Sequence, residues 1–267
     1  AGGALCQMGH FRSFADSGAD GTLTITGGNL TVSNSYEGLE GKDIAISGGT
    51  MNVTAADDGL NAAGGSDSQG STGSSSNGSY KGIKAGSSLL ISSGSITVDT
   101  TSTGTKTAAM DFGMMNTEDV DHVITITGGN LTVFAEGDGI DSNGNIYIKG
   151  GEIVVYGPSN GGNGSIDIGD SGNCVFEITG GTLWAFAGSS DMAVTPTSAS
   201  PAYVVYTTST IASGQTVSVK DASANEIASI TTQKAAAHII YYGTSLTANS
   251  SYTLYAGTSA LGTAAAS

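Results

Sequence analysis

LTITGGNLTV at residues 23–32 returns five more times along the chain: IAISGGTMNV at 44–53, LLISSGSITV at 89–98, ITITGGNLTV at 124–133, IYIKGGEIVV at 146–155 and FEITGGTLWA at 176–185. Within each copy the apolar residues alternate, as Leu23, Ile25, Leu30 and Val32 do in the first, and a period of two means strand. The glycine pair between the half-strands permits a bend that a Cβ would obstruct. One such unit cannot bury its own apolar row. Stacked copies can, and they place Ile25, Ile46, Ile91, Ile126, Ile148 and Ile178 in one internal column. The repeat therefore predicts an all-β chain, a parallel β-helix of six short coils rising about 4.8 Å each.

Working outward, the second glycine of each pair falls at 28, 49, 94, 129, 151 and 181. The short steps are bare coils and the long ones carry insertions. Residues 64–80, GGSDSQGSTGSSSNGSY, read as a flexible excursion, and 112–122 and 157–164 as smaller loops. After residue 187 the repeat stops. Short alternating segments follow at 203–206, 217–220, 227–230, 238–242 and 252–255, and they predict a small antiparallel β cap over the last coil, whose open edge would otherwise invite aggregation. The expected organisation is an N-terminal segment or cap at 1–21, the β-helix at 22–187 with its insert at 64–80, and the C-terminal cap at 188–267.

The chain has 23 acidic and 8 basic residues among 267, a formal charge of -15. No lysine or arginine cluster is dense enough to grip a phosphate backbone, so nucleic acid is not an expected partner. No apolar run approaches the roughly 18 residues that cross a bilayer as a helix, so no membrane insertion is expected. Cys6 and Cys174 lie about five rungs apart on the predicted stack, too far for an internal bridge.

The carboxylates are not scattered. A four-residue box recurs between strand units: EGLE at 37–40, DGLN at 58–61, KGIK at 81–84, AAMD at 108–111, DGID at 138–141 and GSID at 164–167. Its apolar third residue should point inward and its neighbours should line one outer edge. Two columns result: Glu37, Asp58, Lys81, Ala108, Asp138 and Gly164, then Glu40, Asn61, Lys84, Asp111, Asp141 and Asp167. Carboxylates stacked about 5 Å apart repel by roughly 3 kcal/mol at an effective dielectric near 20. A hard cation between coils removes that cost, and Ca²⁺, which accepts six to eight oxygens in loose geometry, suits the donors. The expected metal ligands are Glu37, Glu40, Asp57, Asp58 and Asn61 in one group and Asp111, Asp138, Asp141 and Asp167 in another. Six boxes serve five junctions, so DGLN and KGIK share the gap between the second and third units.

With these boxes in place the chain resembles the bacterial calcium- and polygalacturonate-binding β-helix proteins, a carbohydrate-binding family that looks like pectate lyases. The resemblance is carried by SYEGLEG at 35–41, ISGGTMNVTAADDGLNAAGG at 46–65, EGDGIDSNGNIYIKGGEIVVYGP at 136–158, GGNGSIDI at 161–168, EITGGTLWAFAGSSDMA at 177–193 and TVSVKDASANEI at 216–227. It implies a right-handed helix, calcium bridging the coils, and recognition of acidic plant-type polysaccharide. KGIK and AAMD depart from the acidic pattern.

The expectation is a secreted or cell-surface, non-catalytic protein that binds acidic polysaccharide of the polygalacturonate or pectin type. Bound Ca²⁺ would bridge its carboxylates to those of the sugar. Lys84, Tyr36 and Tyr80 are the expected carbohydrate contacts, with Tyr147, Tyr156 and Trp184 as further outward aromatics, of which Trp184 is expected to pack against the cap. Two other readings stand beside it. One is a structural or adhesive surface protein that associates end to end into fibres. The other is a calcium-dependent polyuronate lyase using Lys84, Lys81 or Arg12 as base. A lysine in an acidic column is better suited to neutralising charge, since its neighbours favour the ammonium form.

Overall fold

The computed structural model of the chain describes residues 21–35, 37–62, 80–101, 122–170 and 172–267. Tyr36, Asp111, Cys6, Arg12 and almost all of the expected segments 1–21 and 64–80 lie outside the described residues. The fold is all-β, with long parallel strands and a small antiparallel sheet near the C-terminus.

Each of the six repeats forms one long strand: β1 (Thr22–Ser35), β3 (Asp43–Ala55), β6 (Ser88–Asp99), β7 (Val123–Phe134), β9 (Asn145–Tyr156) and β11 (Phe176–Ala187). They pair in parallel in that order. The isoleucine column is in direct register, Ile25 beside Ile46, then Ile91, Ile126, Ile148 and Ile178. From Ile46 onward every member is at most 1 % exposed, and each buried side chain contributes on the order of 1.5 to 3 kcal/mol. The second glycine of each pair adopts positive φ, from +79° at Gly181 to +113° at Gly94, a region closed to most L residues. That is where each strand bends.

The boxes form a second parallel sheet of β2 (Leu39–Glu40), β4 (Leu60–Ala62), β5 (Ile83–Ala85), β8 (Ile140–Ser142) and β10 (Ile166–Asp167). Elsewhere a long strand precedes its short one, as β3 precedes β4 and β7 precedes β8. The third rung inverts this: β5 precedes β6, yet it lies between β4 and β8. Residues 80–101 thus make one turn whose ends meet, where the Thr100 hydroxyl donates to the Tyr80 carbonyl at 3.0 Å. DGLN and KGIK therefore occupy successive rungs rather than one gap, and Ile83 pairs directly with Ile140. The AAMD box lies outside the described residues.

Beyond β11 the long sheet continues through a short parallel strand, β12 (Ser198–Ala199), and through β16 (Ala236–Gly243) and β13 (Tyr203–Ile211), both antiparallel to their neighbours. β14 (Thr216–Lys220), β15 (Glu226–Thr231), β17 (Ser251–Ala256) and β18 (Ser259–Ala265) make the separate antiparallel sheet. All five expected C-terminal strands are present, but two of them extend the repeat sheet. β18 was not expected, because SALGTAA has small residues and little alternation. β16 joins the long sheet because it is apolar on both faces. Ile240 and Tyr242 complete the core of the repeats, while Ile239 and Tyr241 enter a second core on the opposite face. Rings of Phe134, Tyr156, Phe186 and Trp184 stack in that second core with centroids 4.9 to 5.6 Å apart. Tyr156, a candidate outward platform, is buried beneath the C-terminal strands, and Trp184, at an outward position of its strand, packs against the cap as expected of that residue.

Candidate functional site

The short sheet puts the boxes in register. Leu39, Leu60, Ile83, Ile140 and Ile166 form one row, and Glu40, Asn61, Lys84, Asp141 and Asp167 the next. The neighbouring row is tied by backbone bonds: Gly38 N–H to Asp58 O, Gly59 N–H to Lys81 O, Gly82 N–H to Asp138 O and Gly139 N–H to Gly164 O. Both columns read from the sequence are assembled among the described residues except at their fourth members: KGIK pairs directly with DGID, where Ala108 and Asp111 of AAMD were expected to intervene.

The direction of the side chains differs from the expected outer edge. Asp57, Asp58, Asn61, Asp138 and Asp141 are at most 3 % exposed. Part of the reason is backbone chemistry, because a buried N–H needs an acceptor. The Tyr80 N–H donates to Asp57 Oδ1 at 3.0 Å, and the Lys81 N–H to Asp58 Oδ1 at 3.1 Å. One rung on, the Gly164 N–H donates to Asp138 Oδ1 at 2.6 Å. Each carboxylate thus caps the turn of the following rung. Glu37 is half-buried and Glu40 exposed on the first rung.

The remaining charge is met by two lysines from the KGIK box. Lys84 Nζ lies 3.3 Å from Asp58 Oδ2. Lys81 Nζ contacts Asp141 Oδ2 and stands 3.5 Å from Asp138 Oδ2. The departure from the acidic pattern at 81–84 is therefore a pair of internal cations, and the sequence did show lysines inside an acidic column. Of the three candidate bases, Lys81 and Lys84 are held by carboxylates and Arg12 lies outside the described residues.

The last box, GSID at 164–167, carries no lysine of its own, and Lys81 acts on Asp167 from two rungs away. Asp138, Asp141, Asp167, Asn143, Asn163 and Asp170 line a cleft of about 230 Å³. Burial, followed by the charges of Asp141 and Asp138, pushes the Asp167 carboxyl up to about 7, against the opposing pull of Lys81 and the Ile168 N–H. The lining presents carboxylate and amide oxygens, the donors a hard cation takes. Among the described residues no three acidic, histidine or cysteine side chains form a ready-made metal centre. The cleft fits calcium only as a loose site completed by amide oxygens, backbone and water. The upper rungs fit it poorly, since Asp57 and Asp58 already accept backbone N–H groups and Lys84 supplies the charge.

The sequence reading missed Asp191. It accepts from the Ser165 N–H and hydroxyl, both at 2.8 Å, and lies 2.9 Å from His238 Nδ1 on β16. It caps the same turn as Asp138, at residues 164–165, but from the C-terminal side and outside any box, so the repeat gave no signal for it. Glu136 was missed likewise. Lys234 pairs with it at 2.8 Å and donates to the carbonyls of Ala135 and Gly157, tying the C-terminal strands to the corner of the repeats. Of the expected sugar contacts, Tyr80 is half-buried, Lys84 is engaged by Asp58, and Tyr36 lies outside the described residues. Tyr147 is half-buried on the long sheet with Lys149 Nζ 5.3 Å from its ring centre.

No curated protein and no solved structure matches the chain. Residues 16–118, which contain the first three long strands and the first three boxes of the short sheet, match the family model described as carbohydrate-binding domain-containing protein.

Proposed function

We propose that the chain is a right-handed parallel β-helix and a secreted or cell-surface, non-catalytic protein that binds acidic polysaccharide of the polygalacturonate type through calcium. The observation that carries this reading is the oxygen-lined cleft shared by Asp138, Asp141 and Asp167 from adjacent rungs, in which burial and the charges of the other two push the Asp167 carboxyl up. The family match supports carbohydrate binding in general and covers 16–118, which includes the lysine pair but not Asp138, Asp141 or Asp167. Calcium in the cleft would supply positive charge that both protein and uronate carboxylates can share. Asp141 and Asp167 would hold the ion, Asn143 and Asn163 would complete the oxygen shell, and Asp138 would orient the turn of residue 164.

The test is retention on immobilised polygalacturonate. Retention that needs calcium, is reversed by EDTA and is lost in Asp141→Asn with Asp167→Asn supports the reading. Retention indifferent to EDTA removes calcium from it, and no retention removes the ligand. An ultraviolet-absorbing unsaturated product would replace it with the lyase reading.

A further inference from the structure

The first rung is built like an interior rung but lies at an edge. β1 ends the long sheet, and among the described residues no strand pairs with its other side. Leu23, Ile25, Leu30 and Val32 are only partly buried, whereas their partners Ile44, Ile46, Met51 and Val53 are each 1 % exposed. The opposite end of the same sheet is closed, because β16 covers β11, and the outermost β13 exchanges backbone bonds between Tyr203 and Ser267. Over its 14 residues β1 carries no charge and no proline, the devices that normally keep an exposed edge from pairing.

Gly27 gives a second, independent sign. At the equivalent place in the next rung a Cβ on Gly48 would stand 2.8 Å from the Thr26 carbonyl, and on Gly128 2.6 Å from the Ser92 carbonyl; Gly150 and Gly180 are tighter still. Only β6 differs there, with Ser93. These glycines make room for the backbone of the preceding rung. A Cβ on Gly27 would meet nothing within 4 Å, so β1 keeps the space with no described neighbour to fill it.

The strand itself says what fits. Leu23, Ile25 and Gly27 mirror Val32, Leu30 and Gly28 about the middle of the glycine pair. A second β1 laid antiparallel across a two-fold axis at Gly27–Gly28 would therefore put Leu23 opposite Val32, Ile25 opposite Leu30, and glycine opposite glycine. The axis stands perpendicular to the sheet, so inward faces stay inward and the apolar columns run on into the partner. We infer that a second copy of this chain docks on β1, forming a two-fold symmetric dimer by antiparallel β1–β1 pairing.

Sedimentation of the 267-residue chain in EDTA tests this without calcium. The expected species at high concentration has about twice the 26.3 kDa chain mass. Gly27→Val should weaken association about tenfold or more while the diluted monomer keeps its circular dichroism and melting temperature. In a Cys6→Ser, Cys174→Ala background, Thr24→Cys with Thr31→Cys should give an interchain disulfide on oxidation, because those positions face each other across the axis. A monomer at every soluble concentration overturns the dimer, as does a dimer that Gly27→Val leaves unchanged. Association without the cross-link, or particles much larger than a dimer, overturns the antiparallel pairing and favours head-to-tail growth.

Discussion

The acidic corner solves one electrostatic problem in two ways. At β4, β5 and β8 the carboxylates of Asp58, Asp138 and Asp141 are met by Lys84 and Lys81. At β8 and β10 the same positions of the repeat carry Asp141 and Asp167 beside a cleft, and the Asp167 carboxyl is pushed up to about 7. Register is common to both halves. What differs is the source of positive charge, internal above and, on the function proposed here, an external ion below. A stacked repeat brings like charges together wherever its sequence repeats them, so each rung must either break the pattern or recruit an ion.

The sharpest way to break this contrast is Lys81→Met. Removing the ammonium leaves Asp138 and Asp141 buried without their cation, and the loss should be about 3 to 5 kcal/mol in EDTA, read by urea denaturation. Millimolar calcium should return part of it. A variant as stable as the parent would show that Lys81 neutralises nothing of consequence.

Calcium added to the unaltered chain comes next. At a hundred times its dissociation constant it should stabilise by about 2.7 kcal/mol, seen as a raised melting temperature. Asp141→Asn with Asp167→Asn should abolish the shift while Lys84→Ala retains it. An unchanged melting temperature at millimolar calcium would leave the lower half without its proposed ion.

Asp167→Asn sharpens the comparison through pH. The folded carboxyl titrates at about 7 and the unfolded one near 3.8. Between these values the folded state binds the extra proton, so stability falls as pH rises from about 4 to about 7 and is level above. The variant should lose that slope. In EDTA at pH 8 it should be more stable than the parent by about 1 to 2 kcal/mol, allowing for solvent screening, and equal to it near pH 3. Equal stability at pH 8 would mean the cleft carries no excess negative charge.

The smallest effect belongs to Lys84→Ala. Its ammonium is partly exposed, and Asp58 keeps its bond from the Lys81 N–H, so about 1 kcal/mol should be lost in chemical denaturation. A loss as large as that of Lys81→Met would place the main counter-charge at the wrong lysine.

Much of this was legible beforehand, and for identifiable reasons. Alternation around the glycine pair specified six long strands and the isoleucine column, because a one-residue slip would turn every apolar side chain outward. The apolar third residue of each box likewise marked the inward row of the short sheet, but not its order, since the sequence put AAMD between KGIK and DGID and β5 pairs directly with β8. The burial of Asp57, Asp58, Asp138 and Asp141 was not legible: a polar residue in a turn reads as exposed until the N–H groups of the next rung are seen to need acceptors. Asp191 and Glu136 were hidden because their partners, His238 and Lys234, come from segments outside the repeat. Tyr156 looked outward because alternation says which face a residue takes and not what covers that face.

The sequence alone determined the strands, their parallel order and the acidic row, since these follow from a short period repeated in register. Tertiary structure alone decided that β5 lies directly beside β8, which carboxylates the two lysines of the column meet, and that an oxygen-lined cleft is left below them. Those outcomes depend on contacts between residues far apart in the chain, such as Lys81 and Asp141, 60 positions apart. No local pattern encodes such a distance; it exists only once the rungs have stacked.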